Sequence, residues 1–145
     1  MTEKQLTSSS CHCINLRRAA NTVSRYYDRM LKPSGLTLNQ YSILSSIRKI
    51  EPCSVTELAE KTRLDRTTLV RNLKPMFASG WIVDEAKSGN RRNQLRLTET
   101  GIVRVQEGEL LWQKAQQKLE NHIGQNNLAA LTICLLELEG LNRED

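Results

Sequence analysis

The sequence predicts a mainly α-helical fold that contains one small β-hairpin. Three observations lead to this fold class. Helix-start signals at Ser54 and Asp65 lie only eleven residues apart. Strand-like residues follow Gly80, and apolar residues repeat at helical spacing in long segments on both sides of this central region. We therefore expect two short helices and a hairpin, flanked by long helices at both ends of the chain.

The N-terminal part of the chain is predicted to form two helices. The first should span residues 10–32 and end at Pro33, and the second should begin at Thr37 and end at Pro52. Thr37 and Gln40 have the spacing of a capping box, in which each side chain bonds a free backbone N–H of the helix end. The first helix carries an apolar stripe with spacings of three and four: Cys13, Leu16, Ala20, Val23, Tyr27 and Met30.

Two closely spaced helix starts define the central region. Ser54 and Glu57 have capping-box spacing, and Asp65 can cap a second helix. The carboxylate of Asp65 also suits the positive end of the helix dipole. The interval leaves room for one short helix and a tight turn, which is the spacing of a helix-turn-helix.

The second helix of this pair is predicted to contact DNA. Its apolar stripe consists of Leu69, Val70, Leu73, Met76 and Phe77. The other face carries hydroxyl, amide and cationic groups: Arg66, Thr67, Thr68, Arg71, Asn72 and Lys74. Such groups near a helix N-terminus suit base edges and phosphates in a major groove. The alternative is an ordinary solvated face, but paired threonines are weaker helix formers than the Glu, Lys or Ala expected there.

A hairpin is predicted after Gly80. Residues 81–83 are strand-like, and apolar Leu95 and Leu97 alternate with polar neighbours. The segment between these two runs is polar, contains glycine and carries three cations: Lys87, Arg91 and Arg92. An arginine-bearing tip suits the negative potential of a minor groove, although a solvated loop is the simpler interpretation of the loop alone. Directly after a helix-turn-helix, it indicates a winged helix-turn-helix.

The C-terminal part of the chain is predicted to form two more helices. Thr98 should cap a long helix that ends near Gly124, and a last helix carries Leu128, Leu131, Leu135 and Leu138.

The apolar stripes of the first helix and of the two C-terminal helices exceed what the small central unit can cover. Packing of these helices against one another within one chain is the alternative. We therefore expect a homodimer with two reading heads for a pseudo-palindromic site. Residues 1–34 and 99–145 would form its dimerisation region, and residues 35–98 the DNA-binding domain.

The charge distribution favours a nucleic-acid partner. The formal net charge is +5, and residues 61–96 hold nine Lys or Arg against three acidic residues, whereas residues 99–145 hold four against eight. Positive charge is therefore concentrated on the predicted reading head. No apolar run is long enough for a membrane span, and the first fifteen residues lack a signal-peptide core, so we expect a cytoplasmic protein.

These motifs resemble those of the MarR family of transcriptional regulators, over nearly the whole chain. The segment from Val55 to Gly80, with ELAE and DRTTLVRNL, resembles the helix-turn-helix of the family. The wing and the helix after it are matched by Arg91, Leu95, Leu97, Thr98 and Gly101. The resemblance implies an obligate homodimer that represses or activates promoters. It also implies release by an oxidant or a small molecule, often a phenolic or carboxylic aromatic.

Two positions depart from the family pattern. Members commonly carry an Asp two residues before the wing arginine, where it holds that arginine in place. This chain has Gly89 there, followed by Asn90, so Arg91 is expected to be held differently. The turn between the two short helices commonly contains Gly, and this chain has Arg63, which predicts a strained or reshaped turn.

The cysteines allow two interpretations. Cys13 is similar in position to the reactive Cys of peroxide-sensing members, and Tyr27 matches a tyrosine that lowers the pKa of that thiol. Leu38 stands where their second tyrosine would be, so the set is incomplete. Cys11 would then be a resolving thiol that forms a disulfide with the other subunit. Alternatively, Cys13 is a small buried residue of the apolar stripe.

Other functional classes have less support. A thiol enzyme needs a base beside its nucleophile, and only His12 and His122 are available, so no enzyme is predicted. No cofactor is expected. Metal binding by Cys11, His12 and Cys13 is not expected either, because consecutive side chains of a helix point in different directions and no further His or Cys lies nearby in the sequence. Cys53 and Cys134 lie in apolar runs and are predicted to be core residues. A winged helix used only for protein contacts and a thiol-based peroxide-reactive protein remain the alternatives.

Overall fold

The computed structural model describes residues 6–87, 89 and 92–143, and within these ranges it confirms the predicted fold class. The chain forms helices α1 (His12–Leu31), α2 (Leu38–Ile50), α3 (Val55–Thr62), α4 (Arg66–Ala78), α5 (Glu99–Ile123) and α6 (Gln125–Glu139). A 3-10 turn (Lys32–Ser34) follows α1. Strands β1 (Ile82–Asp84) and β2 (Leu95–Leu97) form an antiparallel hairpin in which Ile82 is opposite Leu97.

The predicted capping boxes are confirmed at the starts of α2 and α3. The Gln40 N–H donates to Thr37 Oγ1 at 3.2 Å, and the Thr37 N–H donates to Gln40 Oε1 at 3.0 Å. Ser54 and Glu57 make the same reciprocal pair at 3.1 and 2.8 Å. These bonds satisfy backbone donors that each helix end leaves free, so short polar motifs set where both helices begin.

The hydrophobic core lies within the winged helix-turn-helix and under the first half of α5. It contains Leu31, Leu36, Tyr41, Ile43, Leu44, Ile47, Cys53, Leu58, Leu69, Leu73, Met76, Ile82, Leu95, Leu97 and Val105. Two residues predicted to be buried on α4 are not, since Val70 is 49% exposed and Phe77 is 41% exposed. Both lie on the flank of the stripe formed by Leu69, Leu73 and Met76, which is enough to fill the interface.

The segment between α2 and α3 adds a bridge to the hairpin. The Cys53 N–H donates to the Leu95 carbonyl oxygen at 3.1 Å, and the Leu95 N–H donates back at 2.7 Å. Cys53 is buried, as predicted, and burial together with the nearby Glu57 and Glu51 carboxylates raises the pKa of its thiol to about 11. The prediction for Cys134 is wrong for the single chain, in which this residue is exposed on α6.

The N-terminal and long C-terminal helices pack against each other in antiparallel orientation. The Tyr26 hydroxyl donates to the Ala115 carbonyl oxygen at 3.3 Å, and Arg104 Nη1 donates to the Ser34 carbonyl oxygen, also at 3.3 Å. The last helix, α6, follows Gly124 and has no buried residue. Pairing of the two terminal regions within one chain therefore covers α1 and α5 in part and leaves α6 open.

The start of α5 is anchored directly on the start of the hairpin. Thr98 caps α5 by accepting from the Gly101 N–H at 3.1 Å, while its hydroxyl donates to the Gly80 carbonyl oxygen at 2.5 Å. A Cβ atom placed on Gly101 would lie only 2.0 Å from the Trp81 carbonyl oxygen. Only glycine allows this approach, because the opposing atom belongs to backbone and cannot rotate away.

We expect Gly101→Ala to lower the free energy of unfolding by about 3 kcal/mol, because the added methyl group forces α5 away from the hairpin. Urea denaturation at fixed protein concentration measures the change. The matched control is Thr100→Ala, an exposed neighbour on the same turn, which should change stability by no more than about 0.5 kcal/mol. Equal stability of the two variants would contradict the close approach.

Candidate nucleic-acid interface

The start of α4 is fixed by Asp65. One carboxylate oxygen accepts from the Thr68 N–H at 2.8 Å and the other accepts from the Thr68 hydroxyl at 2.6 Å. These bonds, led by the hydroxyl, lower the pKa of Asp65. The carboxylate is therefore ionised at the positive end of the helix dipole. Consequently the Thr68 hydroxyl proton is engaged within the protein, and Thr68 is half-buried, although the sequence placed it on the reading face.

The outward face of α4 consists of Thr67, Arg71 and Lys74, all exposed. They follow one another at spacings of four and three, so they lie in one row on the side opposite the buried stripe. Arg66 is also exposed, on the flank of this row. Among the described residues, no carboxylate lies within 4.0 Å of the charged groups of Arg66, Arg71 or Lys74. These cations are available to phosphates and base edges.

Asn72 and Val70 differ from their predicted places. Asn72 is half-buried, and its Nδ2 donates to the Thr68 carbonyl oxygen at 2.8 Å, one turn earlier in the helix. Val70 is half-exposed beside the outward row, and sequence reasoning placed it in the core instead. An apolar side chain there can contact a thymine methyl group. The sequence did contain a signal for the exposure of Val70, because Leu69, Leu73 and Met76 already form a complete buried stripe without it.

The wing supplies two further exposed cations. Lys87 and Arg92 lie on its outgoing and returning arms, and both are exposed. Arg91, the wing residue that the family resemblance emphasises, lies outside the described residues, as does Asn90. Arg96 at the base of the wing is paired instead, with Glu85 at 3.1 Å and Glu51 at 3.9 Å. The described free charge of the wing is therefore at its distal part.

The reading helix and the wing meet beside the N-terminus of α3. A polar notch of about 290 Å³ is lined by Arg66 from α4, by Arg92 and Asn93 from the wing and by Glu57 and Glu60 from α3. Residues that are 26 positions apart in the sequence thus border one surface. Of the residues predicted to bind DNA, Arg66 and Arg92 border this notch, and Thr67, Arg71 and Lys74 are exposed on the outward face of α4.

The predicted redox residues are separated within one chain. Cys11 and Cys13 are exposed at the start of α1, so Cys13 is not a buried core residue of the single chain. Arg17 Nη2 lies 4.0 Å from Cys13 Sγ. Tyr27 is fourteen residues further along α1, a distance of about 21 Å, and its hydroxyl donates to Gln116 Oε1. Burial also raises the pKa of Tyr27 above its usual value. The distance along the helix keeps this tyrosine from acting on Cys13 of the same chain.

The turn between α3 and α4 has the backbone that the departure at Arg63 predicted. Arg63 adopts a left-handed conformation with φ of 58°, which glycine accommodates more easily. Its guanidinium lies 2.5 Å from Glu139 Oε2 at the end of α6.

None of the helices within residues 6–87 and 92–143 has the length and apolar character that crossing a bilayer requires.

Comparison with known proteins identifies the family. The sequence profile of the MarR family matches residues 36–93. The chain is similar to the M. tuberculosis transcriptional regulator MosR, with 32% identity and a TM-score of 0.75 over 91% of this chain and 96% of that one. The structure of MosR in complex with DNA is similarly close, with 33% identity and a TM-score of 0.76 over 90% of this chain and 96% of that one.

More distant relatives agree. The Bacillus subtilis protein YwoH, an uncharacterised HTH-type transcriptional regulator, is 24% identical over 108 residues, which cover 74% of this chain and 77% of YwoH. MarR from E. coli shares the fold, with 21% identity and a TM-score of 0.67 over 90% of this chain and 98% of that one. The matched family profile and the identity to MosR over most of both chains agree with each other, and the chain belongs to the MarR family of transcriptional regulators.

Proposed function

We propose that this protein is a sequence-specific transcriptional repressor that binds a pseudo-palindromic DNA operator as a homodimer. The observation that carries this proposal is the exposed row of Thr67, Arg71 and Lys74 on a helix whose opposite stripe is fully buried. A hydroxyl, a fork of guanidinium donors and an ammonium group suit base edges and phosphates in a major groove. The solved complex of MosR with DNA supports the same use of the fold.

The wing is proposed to contact the DNA next to the reading helix. Arg66 and Arg92 border the same notch, so a strand of DNA that follows α4 would also meet the wing. Lys87 and Arg92 can then neutralise phosphates or enter a minor groove. In a two-fold dimer, the two reading helices would enter successive major grooves about 34 Å apart. Residues 35–98 would form this DNA-binding domain.

The homodimer is supported by the apolar surface of α6. Large apolar side chains remain exposed along and just beyond this helix: Leu131, Ile133, Leu135, Leu136, Leu138 and Leu141. Contiguous apolar surface of this kind marks an interface in soluble proteins. A groove of about 1030 Å³ between α1 and α5 offers a complementary surface, with apolar Val23 and Leu119 beside Arg18 and Arg29. A second copy brings the apolar face of α6, which ends in acidic residues, to such a groove.

Release by a small ligand is proposed on the same groove. In one chain it runs along α1 from Asn15 to Arg29 and against the last two turns of α5, at the end of α5 that lies far from the wing. Basic side chains among apolar ones suit a small aromatic carboxylate or phenolate. Such a ligand would compete with, or reshape, the contact between the two copies, and it would thereby change the distance between the reading heads.

Oxidation is proposed as the other route of release. Peroxide would oxidise the Cys13 thiolate to a sulfenate, with loss of water, and the Cys11 thiol of the other subunit would displace a second water to form a disulfide. Both thiols are exposed, as this requires. Cys11 precedes the helix with an extended backbone (φ −92°, ψ 115°), so it is free of the constraint that α1 imposes on Cys13.

Fluorescence anisotropy on DNA from upstream of the gene tests DNA binding. We expect Arg71→Ala to weaken binding by at least about tenfold, because a bidentate base contact contributes about 1–3 kcal/mol. Lys74→Ala should reduce the slope of log affinity against log salt by about 1.8, because each of the two subunits loses one phosphate contact and each contact contributes about 0.9. Lys114→Ala, which removes an exposed cation from α5, is the matched control and should bind as the wild type does. Equal binding to scrambled DNA would favour a winged helix used for protein contacts.

Light scattering coupled to size exclusion tests the dimer. The 16.5 kDa chain should elute with twice its mass, and Leu136→Glu on α6 should shift it toward the monomer because a charge would be buried in the interface. Val70→Glu introduces the same change on α4 and should weaken DNA binding while leaving the mass unchanged. A dimer that tolerates Leu136→Glu as well as Val70→Glu would exclude α6 from the interface.

Peroxide treatment followed by anisotropy tests the redox proposal. We expect oxidation to release the wild type from DNA, and both Cys13→Ser and Cys11→Ser to resist a disulfide-dependent release. Non-reducing electrophoresis should show a covalent dimer that a reductant dissolves. Cys134→Ser, which removes another exposed thiol, is the control and should behave as the wild type does. Release from DNA by peroxide that persists in Cys13→Ser would contradict the assignment of Cys13 as the thiol that peroxide oxidises.

A further inference from the structure

The carboxylate of Asp84 connects the two arms of the wing. Asp84 is the last residue of β1 and is opposite Leu95, the first residue of β2. Its Oδ1 accepts from the Ala86 N–H and from the Gln94 N–H, both at 2.9 Å. Its Oδ2 accepts from Asn93 Nδ2 at 2.8 Å. One side chain therefore bonds the outgoing arm and the returning arm at the point where strand pairing ends.

The wing needs such a connection because its strands are short. Each strand has three residues, and ten residues lie between them. Beyond the strands, the Glu85 N–H donates to the Gln94 carbonyl oxygen at 2.9 Å, which adds one backbone bond to the ladder. Gly89, within this loop, has no side chain that could order it.

A carboxylate at this place is unfavourable for DNA binding by charge alone. It lies in the segment that carries Lys87 and Arg92, and it would repel phosphates. The bonds from Asn93, Gln94 and Ala86 lower its pKa, so it is ionised at neutral pH and accepts all three donors. Its presence is accounted for if it orders the loop, since a flexible ten-residue loop would lose conformational entropy on binding DNA.

We propose that Asp84 is the positioning residue of the wing, which joins Ala86 to Asn93 and Gln94 so that Lys87 and Arg92 are presented to DNA. Lys87 directly follows Ala86, and Arg92 directly precedes Asn93. The bond from the Ala86 N–H thus fixes the backbone next to Lys87, and the bonds from the Asn93 side chain and the Gln94 N–H hold the two residues that follow Arg92. This inference rests on the proposed binding of DNA, and it assigns a role to a residue whose carboxylate accepts from the protein's own donors.

The charge effect and the positioning effect have opposite signs, which makes Asp84→Ala informative. Removal of a negative charge alone would strengthen binding to DNA. If Lys87 and Arg92 are no longer positioned, the wing neutralises fewer phosphates. For each phosphate lost, binding should weaken by about eightfold at 0.1 M salt and the salt slope should fall by about 0.9. Glu85→Ala is the matched control, since it removes the same charge from the next residue without touching the Asp84 bonds. It should bind DNA as tightly as the wild type or more tightly.

Hydrogen exchange of the free protein tests the same inference without DNA. The amides of Ala86 and Gln94 should exchange faster in Asp84→Ala, and trypsin should cleave after Lys87 faster, while Glu85→Ala changes neither. Asn93→Ala removes only one of the three bonds, from outside the strands, and should give a smaller effect in the same direction. It serves also if Asp84→Ala does not fold.

The outcomes separate this inference from the proposed function. If the wild type binds its DNA and Asp84→Ala binds equally or more tightly with an unchanged salt slope, the positioning role is overturned. Unchanged exchange of both amides would also overturn it, whatever the DNA result. If the wild type shows no preference for any DNA while the amides behave as expected, the proposed function fails and the connection made by Asp84 stands.

Discussion

The contact between the first turn of α5 and the carbonyl of Trp81 joins the two parts of the molecule. Trp81 lies between the end of α4 and β1, and its N–H donates to the Met76 carbonyl oxygen at 3.0 Å. On its other side, its carbonyl faces Gly101 with no room for a side chain. The reading helix, the hairpin and the long helix therefore meet at one backbone junction. Strain from a rotation of α5 would be transmitted to the reading helix through this junction, because close-packed interiors have low compressibility.

Electrostatics on the reading side follow from where the acidic groups are used. The Asp65 carboxylate caps α4, and the Asp84 carboxylate accepts hydrogen bonds from the wing. Glu85 and Glu51 form ion pairs with Arg96. These carboxylates face donors of the protein rather than the cations of the outward row. The positive charge of the outward row thus remains available at the surface, and these four acids order the elements that carry it.

Much of this fold was predictable because short polar motifs specify helix starts. Ser54 with Glu57, Thr37 with Gln40, and Asp65 were confirmed as caps, and they fixed the order of the elements. The faces of α4 were less predictable. Val70 was misplaced because periodicity does not say how wide a buried stripe is, and the packing of neighbouring helices decides that width.

Contacts made by single residues could not be predicted from the sequence. The bridge of Cys53 to Leu95 joins segments 42 residues apart through one residue of each, which leaves no periodic signal. Thr68 was expected to face DNA, but its hydroxyl bonds Asp65, and the spacing of a cap does not reveal that second bond. Cys134 was assigned to a core on its apolar surroundings, and those surroundings belong to a helix that one chain leaves uncovered.

The left-handed turn at Arg63 makes the helix-turn-helix sensitive to the salt concentration of the solvent. A non-glycine residue in this conformation costs about 1–2 kcal/mol. The exposed ion pair with Glu139 offsets at most about 1 kcal/mol of that cost. Salt screens the ion pair and leaves the backbone cost unchanged, because only the former is electrostatic. Ionic strength therefore acts on this regulator twice, through the counterions that DNA releases and through the turn that sets α3 against α4.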